Sequence, residues 1–171
     1  MSKKKAPRGI RNKNPLNIRR GKVAWVGEIH PLNEYGEETE KVFCVFQNFF
    51  YGWRAVFSLF RTYMEKHNCR TIRHIIRRWA PENENNTEAY INYVTYMTGI
   101  NRDFVLSFDS DYSQLAHIAI AMCQYENGVV VDSGHISNKA CLLQAYLCVK
   151  YNLNAHKMCE QLEFHDIVLC E

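Results

Sequence analysis

The stretch Leu115-Ala-His-Ile-Ala-Ile-Ala-Met-Cys-Gln-Tyr-Glu126-Asn-Gly128 sets the reading of the whole chain. Leu115, Ile118, Ala119, Met122 and Tyr125 recur at helical spacing and so share one face of a helix. Ser113 stands at the start, where a hydroxyl can accept a free backbone N–H. Asn127-Gly128 supplies residues that tolerate the left-handed turn at a helix C-terminus. The segment is thus a mostly apolar helix that closes on one carboxylate, Glu126.

The same period runs upstream. Phe50, Trp53, Val56, Phe57, Phe60, Tyr63 and Met64 predict a helix over 50–66. Ile72, Ile75, Ile76 and Trp79 predict another, with Thr71 near its start and Pro81 beyond its end. A third begins at Thr87, carries Tyr90, Ile91, Val94 and Met97, and stops at Gly99. After the Glu126 helix, Ser137 can cap a fifth with Leu143, Tyr146 and Leu147 inward, and a last short helix covers 154–163. Residues 9–34, rich in Gly, Asn and Pro, predict loop and short strand, and Lys41-Val-Phe-Cys-Val-Phe-Gln47 predicts a strand. The expected fold class is mainly α (α+β), with a small β-rich N-terminal part. A disordered basic arm is expected over 1–8, preceding one domain over 9–171, and no linker divides it.

Bulk properties set bounds. A chain of 171 residues with 47% hydrophobic and 23% charged residues can bury a core and reads as globular. The net charge of +3 fits an anionic polymer partner without requiring one. Met1-Ser-Lys-Lys-Lys5 leads to Pro7 and Gly9 rather than to an apolar run, so no secretory signal is expected and the chain is expected to be made in a cytoplasm. No run reaches transmembrane length, so no membrane partner is expected. The seven cysteines read as reduced, buried thiols. Cys148, His156, Cys159, His165 and Cys170 match no paired-ligand zinc spacing, and neither metal nor other cofactor is expected.

Three segments could carry chemistry. Ile118, Met122 and Tyr125 would surround Glu126 with low-dielectric material, and a helix C-terminus disfavours negative charge. Such a setting suits a general acid. A helix-end glutamate facing solvent is the plain alternative. In Arg8-Gly-Ile-Arg-Asn12-Lys-Asn14-Pro-Leu-Asn17-Ile-Arg19, the asparagines offer donors and acceptors that match the amides and hydroxyls of an N-acetyl sugar, although asparagines also build ordinary turns. Trp25 could stack on a sugar ring or lie in the core. In Trp79-Ala-Pro-Glu82-Asn-Glu84-Asn85-Asn-Thr87-Glu88-Ala-Tyr90, Asn86 or Thr87 can cap a helix, and Glu82, Glu84 and Glu88 are candidate second carboxylates.

These motifs, in this order, resemble phage and prophage lysozyme-like proteins labelled structural protein P5 or virion-associated muramidase. The resemblance rests on Arg8–Arg19, Trp25-Val-Gly27, Phe43-Cys-Val-Phe46, Tyr51-Gly-Trp-Arg-Ala55, Trp79-Ala-Pro81, Glu84–Tyr90 and Glu126-Asn-Gly128. It covers roughly residues 8–128. The Glu126 segment is also similar to the apolar helix ending in Glu-Ser-Gly of glucosaminidases and lytic transglycosylases, with the order of segments changed as in a circular permutation. After Glu126-Asn-Gly128 the chain departs from the family pattern with Val129-Val-Val-Asp132, and 135–171 matches nothing in it.

The resemblance implies a lysozyme-like core that cleaves peptidoglycan glycan strands, with Glu126 as catalytic acid. It implies that Asn14, Asn17, Trp25, Thr87 and Tyr90 bind substrate in one cleft facing Glu126. Further partners would be components of a phage particle or a secretion machine. The chain would reach the cell wall, in the periplasm, after lysis, virion delivery or injection.

Rival readings are weaker. A wall-binding or virion structural protein without catalysis would keep the same motifs. Nucleic-acid binding would use Arg70, Arg73, His74, Arg77 and Arg78, but their helix spends Ile72, Ile75, Ile76 and Trp79 on the core, which leaves a solvated basic face; no nucleic-acid partner is expected. A cysteine peptidase built on Cys44 lacks a helix N-terminus to stabilise a thiolate.

Overall fold

The computed structural model describes residues 5–129 and 138–164. Its elements are α1 (Arg8–Arg11), β1 (Glu28–Ile29), β2 (Val45–Phe46), α2 (Phe49–His67), α3 (Ile72–Trp79), α4 (Thr87–Thr98), α5 (Tyr112–Asn127), α6 (Lys139–Lys150) and α7 (Ala155–Phe164). The chain is mainly helical, with one small antiparallel sheet in which Glu28 faces Phe46 and Ile29 faces Val45.

Polar caps fix where the helices start. The Asn48 side chain accepts from the Tyr51 N–H, Thr71 from His74, and Asn86 from Ala89. For α4 the cap is therefore Asn86, which leaves the Thr87 hydroxyl to donate to the Ala80 carbonyl at 2.5 Å and tie the two ends of the 80–87 loop. The fourth predicted helix begins one residue before Ser113, at Tyr112. On α6 the cap is Asn138, which accepts from Ala140 and Cys141; the expected cap Ser137 lies outside the described residues.

α2 runs through the core and packs chiefly on α6, while α4 packs on α5 and α3. Trp53, Val56, Phe57 and Ile118 have no exposed surface. Phe57 meets the edges of Phe60 and Tyr146, and the Tyr146 hydroxyl donates to the Phe108 carbonyl at 2.6 Å. Three residues expected inward are substantially exposed: Met97 at 45%, Tyr125 at 38% and Leu143 at 38%. The buried face of α6 is Cys141, Leu142, Ala145, Tyr146, Cys148 and Val149, because α2, α5 and α7 all border it and turn Leu143 outward.

The strand expected over 41–47 shrinks to Val45–Phe46. The Glu40 carboxylate accepts the N–H groups of Val42 and Phe43 at 3.0 and 3.1 Å, so a side chain satisfies donors that a ladder would use. The region expected as loop and strand instead opens with the short helix α1. Two glycines let this N-terminal segment seat closely. A Cβ on Gly52 would collide with the Lys13 carbonyl oxygen, and one on Gly9 would collide with Asn127 Oδ1. The segment is thereby clamped between α2 and the end of α5, which is where Glu126 sits.

Candidate functional site

Glu126 ends α5 half-buried, and two donors converge on one of its oxygens. Trp79 Nε1–H donates to Oε1 at 2.8 Å and the Tyr90 hydroxyl donates to the same atom at 3.1 Å. Oε2 receives no hydrogen bond among the described residues. Trp79 comes from the end of α3 and Tyr90 from the first turns of α4, so three helices meet at this carboxyl. Burial and the neighbouring Glu126 push the Tyr90 hydroxyl well above its usual range, which keeps it a neutral donor. The Tyr125 ring lies flat on Tyr90 at 3.9 Å and covers it.

The backbone here is held by exchange with the asparagine segment. Asn17 Nδ2 donates to the Glu126 carbonyl at 3.4 Å, and Asn127 Nδ2 donates to the carbonyls of Pro15 and Cys123, each at 2.9 Å. Gly128 adopts the left-handed conformation with φ 62°, and its N–H closes on the Gln124 carbonyl. Asn17 is itself left-handed at φ 52°, a conformation that asparagine tolerates better than most residues.

An open cleft of about 570 Å³ lies in front of Glu126. Asn17, Trp79, Glu84, Asn85, Glu126 and Asn127 line it, joined by Arg8, Arg19, Phe43 and Tyr63. The asparagine-rich loop, the Trp79-Ala-Pro loop and the glutamate helix thus face one space. Among the carboxylates singled out in the loop, Glu84 borders the cleft. Glu82 pairs with Arg77 at 3.5 Å, and Glu88 pairs with Arg102.

The sequence-predicted residues divide. Glu126 and Asn17 line the cleft, and Tyr90 holds Glu126 from behind, buried rather than at the surface. Asn14 corrects the expectation of sugar contact. It is fully buried, its Nδ2 donates to the Ile18 and Cys44 carbonyls at 2.9 Å, and its Oδ1 accepts from the Ile18 N–H at 2.8 Å, so its amide is consumed by the fold. Thr87 is likewise buried and spent on Ala80. Trp25 is not among the cleft residues. It packs against the core in a loop pinned by Glu28, which accepts the Trp25 N–H at 2.9 Å and lies 3.6 Å from Arg20. Sequence reasoning missed Trp79 as the partner of Glu126. Its position at the end of an apolar stripe marks core packing, and nothing in the spacing discloses the indole N–H.

No protein-family model matches the chain. It is 42% identical over 126 residues to Protein P5 of Pseudoalteromonas phage PM2, an overlap of 72% of each chain. The chain belongs to the family of this phage protein. Its cleft is bordered both by loop residues, Asn17, Glu84 and Asn85, and by helix residues, Tyr63, Trp79, Glu126 and Asn127. No helix among the described residues is long and apolar enough to cross a membrane. Among the same residues no cluster of His, Cys, Asp and Glu could hold a metal ion; His165 and Cys170 lie outside them.

Proposed function

We propose that this protein cleaves the glycan strands of peptidoglycan, as a muramidase or lytic transglycosylase with a lysozyme-like, circularly permuted core. The observation that carries the reading is the environment of Glu126. Both hydrogen bonds to its carboxyl fall on Oε1, which fixes the group in one orientation. Oε2 is left to carry a proton to the glycosidic oxygen between N-acetylmuramic acid and N-acetylglucosamine. Asn85 is exposed on the same cleft and offers the kind of amide that an N-acetyl group requires, whereas Asn17 and Asn127, which also border it, spend their amide N–H groups on the carbonyls of Glu126, Pro15 and Cys123. Glu84 supplies a second carboxylate on the cleft, in the role of activating water. Kinship with a phage protein supports delivery to the wall by a phage particle or release at lysis, after synthesis in a bacterial cytoplasm. Turbidity loss of purified sacculi, with mass spectrometry of the released fragments, tests the reading. Intact sacculi after prolonged incubation overturn it.

The same kinship favours a second reading, a phage-particle component that docks on the wall without cutting it. Stable binding to sacculi with no released fragments selects this reading over the first.

A further inference from the structure

Arg8, Phe43 and Arg19 form one wall of the cleft described above. The Arg8 guanidinium carbon lies 4.6 Å from the centre of the Phe43 ring and that of Arg19 lies 5.5 Å from it. Arg19 and Phe43 face each other across an isolated antiparallel bridge, so their backbones set the pairing before any ligand arrives. Bringing two cations to one ring costs repulsion that the ring only partly offsets. Elsewhere the protein neutralises such groups: Arg73 pairs with Asp103 at 2.7 Å and Arg77 with Glu82.

At the cleft wall the neutralisation is incomplete. Arg19 is exposed and has no carboxylate partner among the described residues. Arg8 has Glu40 only at 4.0 Å, and its side chain remains 53% exposed. Glu40 is already occupied by the N–H groups of Val42 and Phe43 and by Asn12 Nδ2. Two guanidinium groups with free donors, held on an aromatic platform and facing a cleft, match the geometry of a carboxylate.

We propose that Arg8 and Arg19 bind carboxylates carried by the glycan strand, so that the site selects acidic strands over neutral polymers of N-acetylglucosamine. This rests on the glycan-strand reading of the cleft. Two sources of carboxylate exist on such a strand: the lactyl ether of muramic acid once its peptide is removed, and the free carboxyls of the stem peptides.

The experiment measures affinity of the Glu126→Gln protein, which holds substrate uncut, for three soluble probes. They are peptide-bearing strands, strands stripped by an amidase, and chitin oligosaccharides. The acidic probes should bind in a salt-sensitive manner and the chitin oligosaccharides about tenfold more weakly. Arg8→Gln and Arg19→Gln should each weaken binding of an acidic probe about fivefold and leave chitin binding unchanged. The acidic probe whose affinity falls identifies the carboxylate. Equal binding of acidic and neutral probes, salt-insensitive binding, or no binding to any probe overturns the proposal; this comparison uses the Glu126→Gln protein with both arginines intact and stands even if an arginine variant misfolds. Selective binding without cleavage by the unsubstituted protein upholds the arginine site and overturns the enzymatic reading. Cleavage of acidic and neutral strands alike, unaffected by either substitution, does the reverse.

Discussion

The indole N–H of Trp79 donates to Oε1 of Glu126 across 2.8 Å, joining the end of α3 to the end of α5. The same oxygen takes the Tyr90 hydroxyl, so the carboxyl is oriented by two helices other than its own. Glu126→Gln preserves the shape and removes the transferable proton. It is expected to lower sacculus lysis by about 10²–10⁴-fold, the usual contribution of a general acid. The thermal midpoint should change little. A Gln variant that clears sacculi at the parent rate rules out the assignment.

Trp79→Phe keeps the ring and deletes the donor. Loss of one such hydrogen bond costs about 0.5–1.5 kcal/mol. That should appear as a fall in kcat of up to about tenfold, with KM little changed, because the indole positions the acid rather than the sugar. Tyr90→Phe should do the same, and the double variant should fall short of the product of the two, since both donors serve one atom. A rise in KM with kcat intact would place Trp79 in binding instead.

Gly52 faces the Lys13 carbonyl so closely that a Cβ at this position would overlap the oxygen. Gly52→Ala must therefore push the N-terminal segment off α2. Overpacking of this kind costs about 1–3 kcal/mol or more. The expected result is a fall in thermal midpoint together with lost lysis, because the displaced segment also carries Asn17. An unchanged midpoint would mean that the segment is not seated on α2.

Alkali should unfold this protein earlier than its acidic groups suggest. Burial pushes the thiols of Cys44 and Cys123 from 9.0 up to about 12, and the Tyr112 hydroxyl from 10.0 up to about 12. Tyr90 is raised well above 10.0 as well. Each group binds its proton more tightly folded than unfolded. The stability so gained is fully present below the unfolded values and is lost as pH climbs through 9 and 10 toward the folded ones. Denaturant midpoints should hold between neutrality and about pH 8.5, then drop steeply. The same burial should make Cys44 and Cys123 slow toward iodoacetamide at mildly alkaline pH, while the part-exposed Cys69 reacts first among the described cysteines. A flat stability profile to about pH 11 would contradict this assignment.

Much of this was readable in the chain, for physical reasons that differ by element. The helices announce themselves because Phe50, Trp53 and Phe57 on α2, and Ile72, Ile75 and Ile76 on α3, each keep an apolar helical period, and because Thr71 stands where free N–H groups need an acceptor; the Asn48 cap of α2 went unread. The 41–47 strand misleads because Glu40 takes over the donors of Val42 and Phe43, an effect invisible to a pattern of apolar alternation. The placement of Glu126 and Asn17 on one cleft was legible from a helix end and a polar loop. Asn14 was not, since an asparagine amide satisfies its own backbone as readily as a sugar. Trp79 was legible as a core residue only, because the apolar period that places its ring against the core says nothing of where the indole N–H donates.

Under the proposed glycan-cleaving function, the carboxylate at Glu84 would decide which chemistry follows protonation. Glycan cleavage with one acid can end in an anhydro-sugar, whereas hydrolysis needs a second group to activate water or capture the sugar carbon. Of Glu82, Glu84 and Glu88, the first and last are held by Arg77 and Arg102, and Glu84 is the one that borders the cleft with Glu126. A carboxylate engaged by arginine at the surface has little left to offer a water molecule. One that faces the same space as the acid can hold a water opposite the leaving oxygen. Glu84→Gln should therefore lower sacculus cleavage by about 10²-fold, while Glu82→Gln and Glu88→Gln leave it within about twofold. Products of the unsubstituted protein should carry reducing ends, and mass spectrometry distinguishes these from anhydro ends by one water. Anhydro ends together with full activity of Glu84→Gln would assign the whole reaction to Glu126, acting as acid and then as base.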